Sequence, residues 1–206
     1  MGTGLIASLA RPGRNITGLT GDVAPEHWAK QLDLVKEAVP AISNIAILWN
    51  PSRGDITDYW EKATVAAGKL GVRVWRFEIR EPSDVESALG TVKERGSDAI
   101  VVPGDPITYA QRRRLVEFAK RNRLPVIYGA REYAEIGGLM SYGPNLLSLL
   151  RRSANYIDRI LKGASPAELP VERPVKLELV INLATANALG LTIPPSLLFQ
   201  ADRVIK

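Results

Sequence analysis

One carboxylate stands where a ligand could be held. Asp105 follows the apolar run at residues 99–102 almost directly, and Gly104 and Pro106 flank it. A carboxylate in such a loop can accept a hydrogen bond from the ammonium group of a ligand. The same side chain could instead cap the helix that follows, because aspartate is a favoured N-cap residue. The residues alone leave both roles open.

Other aromatic and charged side chains also stand near the ends of apolar runs. The aromatic residues are Trp49, Tyr128, Tyr133 and Tyr142, and the charged ones are Arg131 and Glu132. Aromatic rings can line a binding site, but they also pack well in sheets, so the core is the alternative for Trp49 and Tyr128. For Arg131 and Glu132 the default interpretation is a solvated surface.

Residue types that support catalysis and metal binding are scarce. The 206-residue chain has no cysteine, which excludes disulfides, thiolate nucleophiles and cysteine-bound metals. Its one histidine, His27, stands beside Trp28 in a helical pattern, and we interpret it as a surface residue. A Ser-His-Asp triad would need this histidine, and no serine stands in a G-x-S-x-G turn. The sequence therefore predicts neither an enzyme nor a metal site.

Glycine-rich stretches near the start do not make nucleotide-binding motifs. Gly13 and Gly18 have the spacing of a phosphate-binding loop, but Leu19 stands where that loop needs a lysine. Residues 2–7 match G-x-G-x-x-A without the preceding strand that a dinucleotide site requires. We therefore predict no cofactor.

Positive charge is modest and concentrated on one predicted helix. Lysine and arginine number 27 against 22 acidic residues, a net charge of +5. Apolar positions between the basic ones turn inward, so we interpret the basic residues as a solvated face; they are Arg112, Arg113, Arg114, Lys120, Arg121 and Arg123. No helix-turn-helix or aromatic platform accompanies them, and we predict no nucleic-acid partner.

The elements that must position these residues repeat along the middle of the chain. Apolar runs at residues 45–49, 74–79, 99–102 and 125–128 alternate with helical patterns, and a more polar run follows at 138–143. Asp55 is expected to cap one of the helices. This alternation predicts an α/β fold with a doubly wound parallel sheet. Such sheets bind ligands outside the carboxyl ends of their strands, so the loops after residues 49, 102 and 128 are the candidate region.

Six stretches, in order, resemble one known family. They are LARPGRNITG at residues 9–18, AILWNP at 46–51, RLPVIYG at 123–129, GGLMSYG at 137–143, ILKGASPAELPVE at 160–172 and LVINL at 179–183. The resemblance is to ABC-transporter substrate-binding proteins related to the tryptophan/tyrosine-type binding proteins, which have the type I periplasmic-binding fold. It covers essentially the whole chain.

The resemblance implies a function without catalysis. Two α/β lobes would close on a small molecule, which could be an amino acid, and an ABC permease would be the partner. The acid after the third strand of the second lobe, which meets the amino group in amino-acid binders, corresponds to Asp105. Pro106 follows where those binders often carry asparagine, so the ligand class stays open. The cleft would be lined by Trp49, Asn50, Pro51, Tyr128, Gly129, Ser141 and Tyr142, and Arg131 is a further candidate.

The resemblance also implies a domain organisation and a location. Residues 24–143 would be a complete second lobe, 1–23 a remnant of the first lobe, and 144–206 a helix, a crossover strand and a C-terminal helix of the first lobe. The protein would be periplasmic or lipid-anchored, and this chain, which starts without a signal peptide, resembles an N-terminally truncated form. Apolar faces left open around residues 147–161 and 177–181 would favour a homodimer.

A second hypothesis belongs to another class of protein. The same fold serves as the effector-binding or dimerisation domain of transcription regulators, which would require a helix-turn-helix ahead of these residues. The upstream gene sequence discriminates the two hypotheses.

Overall fold

The predicted apolar runs form the strands of a mainly parallel sheet. A computed structural model describes residues 4–52, 56–174 and 176–206; Asp55 and the first two residues of the G-x-G-x-x-A stretch lie outside them. The strands are β1 (Asn44–Trp49), β2 (Arg73–Glu78), β3 (Ala99–Val102), β4 (Val126–Tyr128), β5 (Met140–Pro144), β6 (Leu177–Asn182) and β7 (Arg203–Ile205). The helices are α1 (Glu26–Ala38), α2 (Ile56–Leu70), α3 (Asp84–Glu94), α4 (Pro106–Ala110), α5 (Arg112–Asn122), α6 (Arg131–Glu135), α7 (Leu146–Leu161), α8 (Leu183–Ala188) and α9 (Pro195–Gln200), with a 3₁₀ turn at Pro166–Glu168.

The sheet has the doubly wound order that the alternation predicted. Among the described residues it has seven strands in the order β2-β1-β3-β4-β5-β6-β7. β1 pairs in parallel with both β2 and β3, and the pairs β3–β4 and β4–β5 are parallel as well. The chain therefore passes from β1 to one neighbour, β2, and then crosses to the other neighbour, β3.

Apolar side chains alternate between the two faces of this sheet. Ala46 and Leu48 of β1 join the buried cluster that α3 and α5 cover with Leu89 and Leu115. The intervening side chains of β1 are buried on the opposite side, where Trp28 of α1 contacts Tyr59 of α2 with ring centroids 5.3 Å apart. Burial on both faces explains why β1, β3 and β4 are continuous apolar runs in the sequence.

The chain divides into two compact units, and the division corrects one prediction. The first unit is Met1–Ala24 with Pro144–Leu177, and the second is Pro25–Gly143 with Glu178–Lys206. The resemblance places all of 144–206 in the first lobe, but β6 and β7 extend the sheet of the second unit. The alternating pattern of residues 176–182 predicts a strand without indicating which sheet it joins.

The first unit carries α7, which has an exposed apolar row. Leu147, Leu150, Ile157 and Leu161 are 43%, 67%, 57% and 82% exposed. This confirms the apolar face expected at 147–161. The corresponding expectation for 177–181 is wrong, because Leu179, Val180 and Ile181 are buried.

Candidate functional site

The strand order creates a switch point between β1 and β3. The helix after β1, α2, lies on one face, where Arg76 is about 5 Å from the rings of Trp49 and Trp60, while α5, which follows β3, covers the other face with Leu115. Loops that leave adjacent strands towards opposite faces open a crevice at the carboxyl edge, which is where ligands of such sheets bind. The polar residues that follow β1 and β3 are Asn50 and Asp105.

Asp105 is both a helix cap and part of this edge. Its backbone is extended at φ −148°, and its Oδ1 accepts a hydrogen bond of 2.8 Å from Ile107 N at the start of α4. Its Oδ2 accepts a second bond, 3.1 Å long, from Asn50 Nδ2. Asp105 therefore caps α4 with one oxygen, and its second oxygen contacts the loop that follows β1.

Asn50 is itself held in a fixed orientation. Its Oδ1 accepts a bond of 2.9 Å from Ser52 N, which closes a turn around the half-buried Pro51. Because the amide oxygen is engaged in the turn, the amide nitrogen faces Asp105. The structure thus brings together three of the predicted residues, Asn50, Pro51 and Asp105.

Three glycines bring the next strand ends into backbone contact. Gly129 N donates a bond of 2.8 Å to Val102 O. A Cβ atom on Gly129 would lie 2.7 Å from Gly104 Cα, and one on Gly143 would overlap the Gly129 carbonyl. Only glycine permits this approach. The strand ends of β3, β4 and β5 therefore pack backbone against backbone, with Gly129 and Gly143 buried and Gly104 exposed.

Tyr142 lies in β5 beside this glycine contact and is half-buried. Its ring stacks on His27 with centroids 5.2 Å apart and an interplanar angle of 14°. Its carbonyl accepts bonds from His27 Nε2 at 2.8 Å and Gln31 Nε2 at 3.1 Å.

His27 was interpreted as a surface residue, and that interpretation is wrong. It is 5% exposed, and burial lowers its pKa to about 4, against a smaller opposing effect of the Tyr142 carbonyl. Gln31, one turn further along α1, is completely buried. The signal in the sequence was a polar pair at i and i+4 flanking the apolar stripe of α1.

Tyr128 packs in the core, which was its alternative role. It is completely buried and stacks on Tyr133 with centroids 4.4 Å apart. Burial raises the pKa of the Tyr128 phenol far above its ordinary value. Ser141, its register partner on β5, is 1% exposed, and neither hydroxyl has a partner among the described residues.

Trp49 is anchored at the end of β1. It is 7% exposed, and the Arg76 guanidinium lies 5.1 Å from its ring centroid. Within the described part of the chain its indole Nε1 has no hydrogen-bond partner. A buried donor without a partner is rare in folded proteins.

Arg131 belongs to a charged cluster instead of a solvated surface. Its guanidinium lies 3.9 Å from Glu132, 3.8 Å from Glu135 and 3.8 Å from Glu178, and its side chain is 24% exposed. Glu178 comes from β6, so sequence reasoning missed this partner together with the placement of that strand.

The described residues contain neither a metal-binding cluster nor a membrane-spanning helix. No cluster of three or more histidine, cysteine or acidic side chains there could hold a metal ion. In the same residues, no helix combines the length and the apolar character needed to cross a membrane.

The fold has a switch point, which is where α/β domains of this kind bind ligands, and Asn50 and Asp105 meet there. A family profile described as ABC transporter substrate binding protein matches residues 1–205, and the chain belongs to this family. It is a family of substrate-binding proteins, a non-enzymatic class whose members bind small solutes, work with ABC permeases and normally act outside the cytoplasm.

Solved structures agree with this assignment. A conserved domain protein from Vibrio cholerae is 30% identical with a TM-score of 0.85, over 98% of this chain and 67% of that one. An ABC domain from Streptococcus pneumonia, in complex with L-Trp, is 30% identical with a TM-score of 0.84, over 99% of this chain and 69% of that one. A comparison with curated proteins finds no match.

The hypothesis of a transcription regulator is supported only by a similarity of fold. A LacI-family repressor from Corynebacterium glutamicum is 16% identical with a TM-score of 0.55, over 82% of this chain and 71% of that one. The protein is a solute-binding component of an ABC importer.

Proposed function

We propose that the solute is an amino acid and that it binds at the carboxyl edge of the second unit's sheet, around Asn50 and Asp105. The observation that carries this proposal is the 3.1 Å bond between these side chains at the switch point. The complex of a 30% identical relative with L-Trp supports the ligand class.

Each proposed contact has a physical role. Asp105 Oδ2 retains free lone pairs and can accept a hydrogen bond from the solute's ammonium group, a charge-assisted bond worth about 1.5–3 kcal/mol. Pro51 and Tyr142, which are half-buried, offer apolar surface, and the buried Trp49 and Gly129 shape the edge behind them. Ser141 and Arg131 remain candidates for a polar contact. The Tyr128 ring, buried in the core, supports this edge from beneath.

A substitution that removes the negative charge but keeps the shape of the side chain tests the role of Asp105. Asparagine caps helices about as well as aspartate, but its amide NH₂ would replace the oxygen that accepts from Asn50 Nδ2, so Asp105→Asn should lower the free energy of unfolding of the unliganded protein by about 1 kcal/mol. It should weaken amino-acid binding about 10- to 100-fold, because the charge-assisted bond is lost. Aromatic and branched amino acids are screened by the rise in melting temperature, and dissociation constants are then measured by calorimetry.

Asp84→Asn is the matched control. Asp84 also accepts bonds from main-chain amides, those of Arg80 and Glu81, but it stands at the start of α3. This variant should bind like the wild type. Wild-type affinity in Asp105→Asn would remove Asp105 from the site, and the absence of any response to amino acids in the wild type would refute the ligand class.

We also propose that the chain leaves its solute chemically unchanged and acts in the periplasm or anchored to the membrane. Mass spectrometry of the solute after prolonged incubation tests the first statement, since any new product would contradict it. Fractionation of cells that express the native gene tests the second.

We further propose a homodimer in which α7 pairs with its copy. The exposed residues 147, 150, 154, 157 and 161 alternate in steps of three and four, the spacing of a helix-pairing seam. An antiparallel pair centred near Ala154 would place exposed Arg151 beside Asp158 of the second copy, a complementary charge on each side. Light scattering at micromolar concentration tests this, and a monomer would contradict it.

A further inference from the structure

Two buried polar side chains of α1 converge on one carbonyl. His27 and Gln31 stand on successive turns of the helix and both donate to the main-chain oxygen of Tyr142, at 2.8 Å and 3.1 Å. The carbonyl acceptor places the imidazole proton on Nε2, which leaves Nδ1 as an acceptor. Neither side chain reaches solvent to a significant extent, since they are 5% and 0% exposed.

This arrangement is not the one that best stabilises the helix on the sheet. His27 Nδ1 and Gln31 Oε1 have no hydrogen-bond partner in the described residues. Burial of unpaired polar atoms costs free energy, whereas apolar side chains of similar volume would pack there without that cost. What the pair provides is a Tyr142 carbonyl fixed from two directions and a ring stacked on the imidazole.

The residue that they hold lies next to the proposed solute contacts. Gly143, which follows Tyr142, meets the Gly129 carbonyl so closely that a Cβ would overlap it. Gly129 in turn approaches the backbone of Gly104, next to Asp105. Since backbone contacts of this kind tolerate little displacement, the position of Tyr142 is coupled to those of Gly143, Gly129 and Gly104.

We infer that His27 and Gln31 are positioning residues that hold the Tyr142 ring for contact with the solute. The inference rests on the proposed function and deepens it. The half-exposed part of the Tyr142 ring supplies the surface, and rings stack offset or edge-to-face on such a surface. A ring with a fixed orientation loses no rotational freedom when the solute arrives.

A double-mutant cycle tests the inference with L-tryptophan as the probe and the full chain as the protein. Tyr142→Ala should raise the dissociation constant about tenfold, the scale of one aromatic contact. His27→Ala should raise it by a similar factor, and the double variant should show little further loss. A merely structural role for His27 would instead give independent effects, because stability alone does not couple one residue to another's contact with solute.

Two conservative variants separate the two contacts of His27. His27→Gln keeps a donor near the Tyr142 carbonyl, and His27→Phe keeps a stacked ring; each should recover part of the affinity lost in His27→Ala. Ala38→Gly, at the far end of the same helix, is the control. It should lower the melting temperature through helix propensity and leave the dissociation constant unchanged.

The outcomes discriminate between the inference and the function on which it rests. If His27→Ala binds L-tryptophan like the wild type while Tyr142→Ala does not, the positioning role is refuted and the solute site stands. Independent effects in the cycle refute it as well. If the wild type binds neither L-tryptophan nor any other amino acid, the proposed function fails and the inference fails with it.

Discussion

The buried histidine predicts a specific loss of stability in mild acid. Burial lowers the pKa of His27 from its ordinary 6.5 to about 4 in the folded protein. Between these two values the unfolded chain binds a proton that the folded chain does not, so the free energy of unfolding falls as the pH falls. The contribution of the neutral His27 side chain to the free energy of unfolding is complete above pH 6.5 and is lost progressively as the pH falls to 4.

The size of the effect follows from the shift. One pKa unit corresponds to about 1.4 kcal/mol, so the free energy of unfolding changes by about 3 kcal/mol over the whole pH range of the shift. About 2 kcal/mol of this change falls between pH 7.5 and pH 5. Urea unfolding followed by tryptophan fluorescence at several pH values measures it, at one fixed protein concentration because association would shift the midpoint.

His27→Gln is the reference for this experiment, since it keeps a hydrogen-bond donor but does not titrate. Carboxylates titrate in both proteins, so only the difference between the two pH profiles reports on the histidine. Because His27 is the only histidine in the chain, its ring proton resonance can also be followed by NMR without assignment. Parallel urea profiles, or a titration midpoint near 6.5, would show that the ring is solvated and refute the burial argument.

Three further predictions concern packing. Gly143→Ala should destabilise the protein by about 1–3 kcal/mol, because its methyl group would overlap Gly129, whereas Gly90→Ala in α3 meets open space and should stabilise by about 0.5–1 kcal/mol; urea unfolding compares them. Tyr128→Phe removes a buried hydroxyl that lacks a described partner, so the free energy of unfolding should stay unchanged or rise by about 1 kcal/mol; a large loss would reveal a hidden partner. Leu150→Glu should convert the α7 dimer into a monomer in light scattering without lowering the melting temperature of the monomer.

The sheet could be predicted from the sequence because hydrophobic patterning encodes burial. Runs such as residues 99–102 are apolar at every position since both faces of the strand are covered, and they became β1 to β4 within one or two residues. The same pattern did not indicate where β6 belongs. Which strands pair is decided by tertiary packing, because a strand with one apolar face can join any sheet that buries that face.

The candidate site was harder to predict because one residue type can serve two purposes. Asp105 follows a strand and precedes a helix, and it proved to be a cap that also meets Asn50. Tyr128 and Tyr142 both end apolar runs, yet one is completely buried and the other half-exposed. The burial of His27 is hard to predict because polar residues on a helix are usually solvated, and the pair with Gln31 gains its meaning only from the shared partner carbonyl on β5.

A crystal structure of the chain with the amino acid that gives the largest rise in melting temperature tests the central claim most directly. We expect the solute at the switch point, with its ammonium nitrogen within hydrogen-bond distance of Asp105 Oδ2 and its side chain against Tyr142. A bound solute that contacts neither residue would contradict it.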